Sequence, residues 1–372
     1  MRVAINCRSF LNKKYTGIGR YAHNLVNTLS QIDPQNEYLL YVQKKLFDTK
    51  RKTPVFTQKN FSVKIDRFNR GLQETLGAID IYHSPSPDSL PIEKAKIVVT
   101  VHDLIYKAFP QSHTQSTIEI TDRHIHEAVL KASKIICCSQ STMDDLERYF
   151  SVDKSKICMV HQGVDKNIFY PLDSEQRQKA KKVIEEKGIS DPFIFFVGTI
   201  EPRKNLNNLI RAFFFLKEKK QFNGKLVIAG MSGWMNESIY YFVDHLKLKN
   251  DVVFLGYLTD EELRYLYNLA EVFVFPSLYE GFGFPIVEAF SCGAAVITSN
   301  VSSCPEIAGG AALTVDPMDP RAIADAMAQT IGDQRLKENL QQKARVRAKD
   351  FSFLKTAEET LKVYGEVYHS KG

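Results

Sequence analysis

No run in this chain approaches the roughly eighteen consecutive apolar residues that a membrane-spanning helix needs. The opening MRVAINCRSF also lacks the basic-then-apolar pattern of a secretory leader. Cysteines are few: Cys7, Cys137, Cys138, Cys158, Cys292 and Cys304 show neither a C-x-x-C pair nor any metal-ligand spacing. Most sit in apolar surroundings and read as buried thiols, so the cytoplasm is the expected compartment. No nucleic-acid-binding motif accompanies the basic residues, and nucleic acid is not an expected partner.

What is present fits an ordinary globular protein. The 372 residues are 44% apolar and 25% charged, too long a chain for one hydrophobic core, so two domains are expected. Charge is uneven. Residues 1–170 hold 24 Lys+Arg against 17 Asp+Glu, and the remainder 25 against 26, so the formal +6 belongs to the first half. Part of it lies in Lys44, Lys45, Lys50, Arg51 and Lys52. A solvated basic loop explains that run; the sharper reading is attraction to anionic lipid headgroups or a lipid-linked phosphate.

Apolar runs alternate with helical periodicity along both halves. Strands are expected at 2–7, 38–42, 79–83, 97–101 and 134–138, then at 193–197, 225–229, 252–255, 272–276 and 294–298. Between the series, HQGVDKNIFYPLD has Gly163, Pro171 and no clear period, which sets a boundary near residue 171. Strand then helix in both halves predicts an α/β protein: two Rossmann-like, doubly wound sheets facing a cleft.

Several segments carry candidate chemistry. Gly17-Ile18-Gly19-Arg20-Tyr21-Ala22 matches the G-x-G-x-x-A dinucleotide pattern, yet roughly ten residues separate it from the first strand, which that fingerprint should follow at once. A phosphate- or sugar-facing loop before a helix is the better expectation. His102 follows a strand, where open sheets place ligands, and is expected to donate to a sugar hydroxyl or phosphate. Arg203 and Lys204 stand together at a helix start. Cations are disfavoured there unless an anion sits opposite, so they read as a diphosphate clamp. Gly256, Tyr257 and Leu258 end another strand and could offer backbone groups to a base edge.

The stretch Tyr279 to Ala289, YEGFGFPIVEA, organises the rest. Gly281, Gly283 and Pro285 make a turn able to approach a ligand closely, and the pattern becomes helical from Ile286. Glu280 and Glu288 bracket the turn. Backbone N–H groups beside two carboxylates suit a phosphorylated polyol.

With these residues in view, the chain resembles the retaining glycosyltransferases of family 4, which have two Rossmann-like domains. EGFGFPIVEA fits that family's paired-glutamate motif; TGIGRYA, VTVHDL, HQGVD, GTIEPRKN and PEIAGGAA follow its order. GTIEPRKN looks most like the branch of bacterial O-antigen mannosyltransferases. The resemblance implies residues 1–170 plus 354–372 as the acceptor domain, the last helix returning to it, and residues 171–353 as the nucleotide-sugar donor domain. It implies Glu280 on donor-sugar hydroxyls, Glu288 on the ribose, and Arg203 and Lys204 on the diphosphate, approached by Gly17 and Gly19 from the first domain. Gly283 and Phe284 would offer amides, and His102 would contact the sugar at the reacting centre. Many relatives carry arginine where this chain has Thr199, a place Arg203 could fill from next door.

The implied function is retaining transfer of a hexose, mannose by family branch, from a nucleotide-diphosphate sugar such as GDP-mannose to a saccharide or lipid-linked acceptor in cell-surface polysaccharide synthesis. No further cofactor and no metal are implied, and the sequence holds no Asp-x-Asp pair. The enzyme could work at the inner face of the membrane. Other readings are a UDP-sugar transferase, an NADP-dependent oxidoreductase, a nucleotide-sugar epimerase or phosphorylase of the same architecture, and a non-catalytic binding subunit.

Overall fold

Arg2–Asn6 forms a strand whose side chains alternate between two apolar layers, with Val3 and Ile5 in one and Ala4 in the other. A computed structural model describes residues 1–11, 17–45, 55–88, 90, 92–189, 192–231, 233 and 237–370. Residues 12–16 ahead of the glycine pair, and Lys50, Arg51 and Lys52 of the basic run, lie outside the described residues.

The chain divides into two compact units, Met1–Gly163 with Phe353–Gly372, and Val164–Ser352. The division falls ahead of residue 171 for a physical reason. Val164 bridges Ser352, Leu172 N–H donates to Asn268 Oδ1 at 2.9 Å, and Asn268 Nδ2 donates to the Tyr170 carbonyl at 3.0 Å. The aperiodic segment is therefore already tied into the second unit.

The first unit holds β1 (Arg2–Asn6), β2 (Glu37–Gln43), β3 (Phe61–Asp66), β4 (Ile81–Ser84), β5 (Lys96–Val101), β6 (Lys134–Cys137) and β7 (Ile157–Met159). They form one parallel sheet in the order β3-β2-β1-β4-β5-β6-β7. The second unit holds β8 (Phe193–Val197), β9 (Lys225–Ala229), β10 (Val252–Gly256), β11 (Val272–Phe275), β12 (Val296–Ser299) and β13 (Leu313–Val315). These too are all parallel, in the order β10-β9-β8-β11-β12-β13. Both sheets are Rossmann-like, as the alternating pattern predicts. β3, β7 and β13 escape that pattern because each is an edge strand and only partly buried.

One face of the first sheet is covered by the helices Gly17–Ile32 and Phe353–His369. The terminal helix contributes Phe353, Ala357, Val363, Tyr364 and Val367, the large ones worth about 1.5–3 kcal/mol each when fully buried. Leu354, on the same helix, is 49% exposed. Polar ties fix the helix as well. The Tyr364 hydroxyl meets His83 Nδ1 at 2.6 Å, and Thr356 Oγ1 donates to the His161 carbonyl at 2.8 Å. Lys96 Nζ donates to the Val367 carbonyl at 2.9 Å.

Candidate active site

β8 is apolar throughout, as a strand covered on both faces must be. Past Gly198 the chain turns through a short 3-10 helix, Pro202–Lys204, and reaches Asn205 at a φ of 61° before the helix Leu206–Glu218. Asparagine is among the few non-glycine residues that adopt this left-handed conformation readily. Its Nδ2 donates to the carbonyls of Pro276 at 3.0 Å and Pro317 at 2.6 Å. The turn bearing Arg203 and Lys204 is thereby locked against the segment that follows β11.

That segment carries Glu280. Lys204 Nζ lies 2.5 Å from Glu280 Oε1, and Arg203 Nη1 lies 2.9 Å from the same oxygen. Ser277 Oγ donates to it at 2.6 Å. Arg203 also donates to the Tyr279 carbonyl at 2.8 Å and to Glu201 Oε1 at 2.5 Å. Lys204 sits 4.9 Å above the Phe275 ring. Among the described residues Glu280 Oε2 has no such partner.

Small polar residues brace the turn. Glu280 N–H donates to Ser302 Oγ at 2.9 Å, and Ser303 Oγ donates to the carbonyls of Glu280 and Phe282, each at 3.0 Å. Ser299 Oγ donates to the Ser277 carbonyl at 2.6 Å. Sequence reasoning assigned no role to Asn205, Ser277, Ser302 or Ser303. The available signal was polar residues placed just after apolar strands, where a backbone that leaves the sheet still needs partners.

Electrostatics follow from burial. Lys204 and Glu280 are each 8% exposed. Burial alone would raise the Glu280 pKa, but the Lys204 and Arg203 charges, with hydrogen bonds from Lys204 and Ser277, outweigh it and hold the carboxyl at about 2. For Lys204, burial outweighs the attraction of Glu280 and pulls the ammonium below its ordinary value. The result is a fixed, charge-balanced cluster in which two cations face the carboxylates of Glu280 and Glu201.

The following helix, Phe284–Ser291, begins two residues earlier than the Ile286 expected from periodicity, with Pro285 in its first turn. Gly283 caps it at a φ of 100°, a conformation that favours glycine. Glu288 is buried one turn in and accepts from the Tyr267 hydroxyl at 2.9 Å. Phe284 packs against Phe282, ring centroids 5.3 Å apart. The ends of β8, β9 and β10 approach closely: Gly230 N–H donates to the Gly256 carbonyl at 2.8 Å, and a Cβ on Gly230 would lie 1.9 Å from the Gly198 carbonyl oxygen. Beyond Gly256, Tyr257 is exposed and Leu258 is buried, so only the former's side chain is accessible.

The first-unit candidates require correction. Gly17 and Gly19 lie within the first turn of the helix Gly17–Ile32, not in a loop ahead of it, and Gly19 is buried. His102 Nε2 meets the Pro85 carbonyl at 2.7 Å, and its Nδ1 meets Gln162 Nε2 at 2.6 Å. A carbonyl only accepts, so Nε2 carries the proton and Nδ1 accepts from the amide. Burial pushes the imidazole pKa down and favours this neutral form. Both ring nitrogens are thus engaged inside the first unit. In this arrangement His102 holds the segment around Pro85 and meets Gln162.

Comparison with known proteins agrees with this arrangement. The model of the family described as Glycosyltransferase Family 4 matches residues 15–167, and that of Glycosyl transferases group 1 matches residues 175–347. The chain is 31% identical to O-antigen chain mannosyltransferase B of Escherichia coli over 287 residues, 76% of this chain and 74% of that protein. It is also 31% identical to the serotype-specific mannosyltransferase WbdA of Escherichia coli over 242 residues, but spans only 29% of that longer protein. In fold it is similar to sucrose-phosphate synthase from Thermosynechococcus elongatus, with a TM-score of 0.79 over all of both chains at 18% identity. By these matches, the chain belongs to the family 4, group 1 glycosyltransferases.

Proposed function

We propose that this glycosyltransferase is a retaining mannosyltransferase, moving mannose from GDP-mannose to a saccharide or lipid-linked acceptor in cell-surface polysaccharide synthesis. The observation that carries the reading is the convergence of Arg203 and Lys204 on Glu280 Oε1, within one buried cluster. The mannosyltransferase names of the relatives supply the sugar.

Breaking the bond from anomeric carbon to diphosphate builds negative charge on the leaving group. Arg203 and Lys204 stabilise that charge more in the transition state than in the ground state, and Glu280 Oε2 accepts from a sugar hydroxyl. Glu288, anchored by Tyr267, accepts from the ribose hydroxyls. Two cations gathered at this turn would take over the neutralisation that a divalent metal gives elsewhere, so activity should survive EDTA. Retention follows from attack on the face the diphosphate leaves, with a donor phosphate oxygen receiving the acceptor proton. No helix among the described residues is long and apolar enough to cross a membrane. Contact with anionic lipid would come through the basic excess of the first unit, and vesicle co-sedimentation tests it.

A panel of GDP, UDP, ADP and NADP with their common sugar conjugates, read by thermal shift without metal, tests the donor. Stabilisation by GDP and GDP-mannose, lost in Lys204→Ala, supports the reading; stabilisation by UDP discards mannose and keeps the class. Proton NMR of the product sets the mechanism, and an inverted anomeric centre would overturn retention.

A further inference from the structure

His102 is held at its main chain and at its ring by different elements. Its carbonyl accepts from Cys138 Sγ at 2.9 Å and from Thr142 Oγ1 at 3.2 Å. The ring of Tyr21, on the helix Gly17–Ile32, meets the imidazole edge-on with centroids 5.0 Å apart. Nε2 donates to the Pro85 carbonyl, so in the neutral ring Nδ1 is an acceptor, and Gln162 Nε2 lies 2.6 Å from it. This settles which way the Gln162 amide points: nitrogen toward the ring, oxygen away. Gln162 is 1% exposed, and its Oε1 is buried with no hydrogen-bond partner among the described residues.

We infer that Gln162 is a positioning residue for His102: by occupying Nδ1 it fixes a neutral imidazole whose only donor is Nε2–H. Its consequence in turnover rests on the transferase reading, in which the resemblance sets His102 at the reacting centre. Three observations carry the inference. A stranded buried carbonyl is costly, and methionine would fill a similar space without one; an amide is called for here by the ring, which needs its N–H. Among the described residues nothing else meets Nδ1. The acid next in the chain is turned away, since Asp103 Oδ1 accepts from the Ile105 N–H at 3.1 Å. His83 and Tyr21, the other titratable rings nearby, are kept uncharged by burial, and the Cys138 thiol is spent on the His102 carbonyl. The backbone that presents Gln162 is fixed as well, because Thr356 Oγ1 of the terminal helix holds the His161 carbonyl at 2.8 Å. A ring whose lone pair is already taken is no base for the acceptor proton, so the part left to His102 is that of a donor.

The test uses the full chain labelled with 15N-histidine, with His102→Gln identifying the His102 signals among those of the nine histidines. Long-range proton–nitrogen NMR spectra at pH 7 should show His102 protonated at Nε2 alone. In Gln162→Glu the carboxylate only accepts, so the ring should take a second proton from solvent and show both nitrogens protonated. An unprotonated Nδ1 in that variant, or Nδ1–H in the wild type, would overturn the inference. Gln162→Met separates positioning from support. It removes the stranded oxygen, so its Tm should equal or exceed that of the wild type. Its kcat, measured well below Tm, should fall roughly tenfold or more with KM for the donor little changed. An intact kcat, with Tm lowered or not, would leave Gln162 a merely structural side chain and also overturn the inference. If the wild type transfers no sugar from any nucleotide sugar, the transferase reading fails instead, and the NMR pattern then decides the part of Gln162 by itself.

Discussion

Lys204 and Glu280 are 76 residues apart in sequence, and their charged atoms stand 2.5 Å apart with each residue only 8% exposed. Removing either partner strands the other. Breaking a buried pair typically costs about 3–5 kcal/mol; here Arg203 shares Glu280 Oε1 and softens the loss. Lys204→Met and Glu280→Gln should therefore each destabilise by about 3 kcal/mol. The double variant should cost clearly less than their sum. Urea unfolding of the four proteins measures the coupling, and simple additivity would show that the pair contributes nothing of its own.

The pH response should come mainly from histidine. Burial holds the His83 pKa at about 3, with the nearby His102 adding a smaller push downward, against an ordinary value of 6.5. Its neutral ring meets Tyr364 at 2.6 Å and Thr100 at 2.9 Å. The folded value is depressed, so this contribution to stability is complete above about 6.5 and is lost as pH falls toward the folded value. Each pH unit in that window costs about 1.4 kcal/mol. Between pH 7 and 5 the wild type should lose about 2 kcal/mol that His83→Gln does not lose. Glu280, at about 2, adds its own loss only below about pH 4.5. Urea midpoints at pH 7, 6 and 5 give the comparison, and parallel curves for wild type and variant would refute the assignment.

Much of this was legible in the sequence, and the limits are physical. β8 and β11 are buried on both faces, so their continuous apolar runs announced themselves, and the glycines of YEGFGFP marked the turn between Glu280 and the helix. β3, β7 and β13 were missed because edge strands are short or carry mixed residues. That Arg203 and Lys204 meet Glu280 was hidden, since the two motifs were read as separate tasks and nothing local joins them. His102 was placed correctly at a strand end. Its ring nitrogens were bound by Pro85 and Gln162, and one of those partners is a backbone carbonyl that no residue pattern reveals.

Asn205 should show an ordered series of substitutions. Its φ of 61° strains alanine and most other residues with a Cβ by about 1 kcal/mol, while glycine tolerates it and asparagine adopts it readily. Both substitutions lose the hydrogen bonds to Pro276 and Pro317. Asn205→Gly should therefore be destabilised by about 1–3 kcal/mol from those bonds. Asn205→Ala should be worse by about 1 kcal/mol. Thermal and urea unfolding read the order, and an alanine variant as stable as the glycine one would show that the backbone carries no strain there.

Gly230 and Gly256 separate structure from donor binding. A methyl group at 230 would collide with the Gly198 carbonyl at 1.9 Å, so Gly230→Ala must displace backbone and should fail to fold or unfold well below the wild type. At 256 a methyl group meets nothing within 4 Å, although φ is 67°. Gly256→Ala should accordingly cost only about 1 kcal/mol of backbone strain and keep the fold. If Gly256 lets a nucleotide approach the backbone, that variant should lose most of the nucleotide-induced thermal shift despite folding normally. A full shift in folded Gly256→Ala would place the base elsewhere and leave Gly256 as no more than the end of β10.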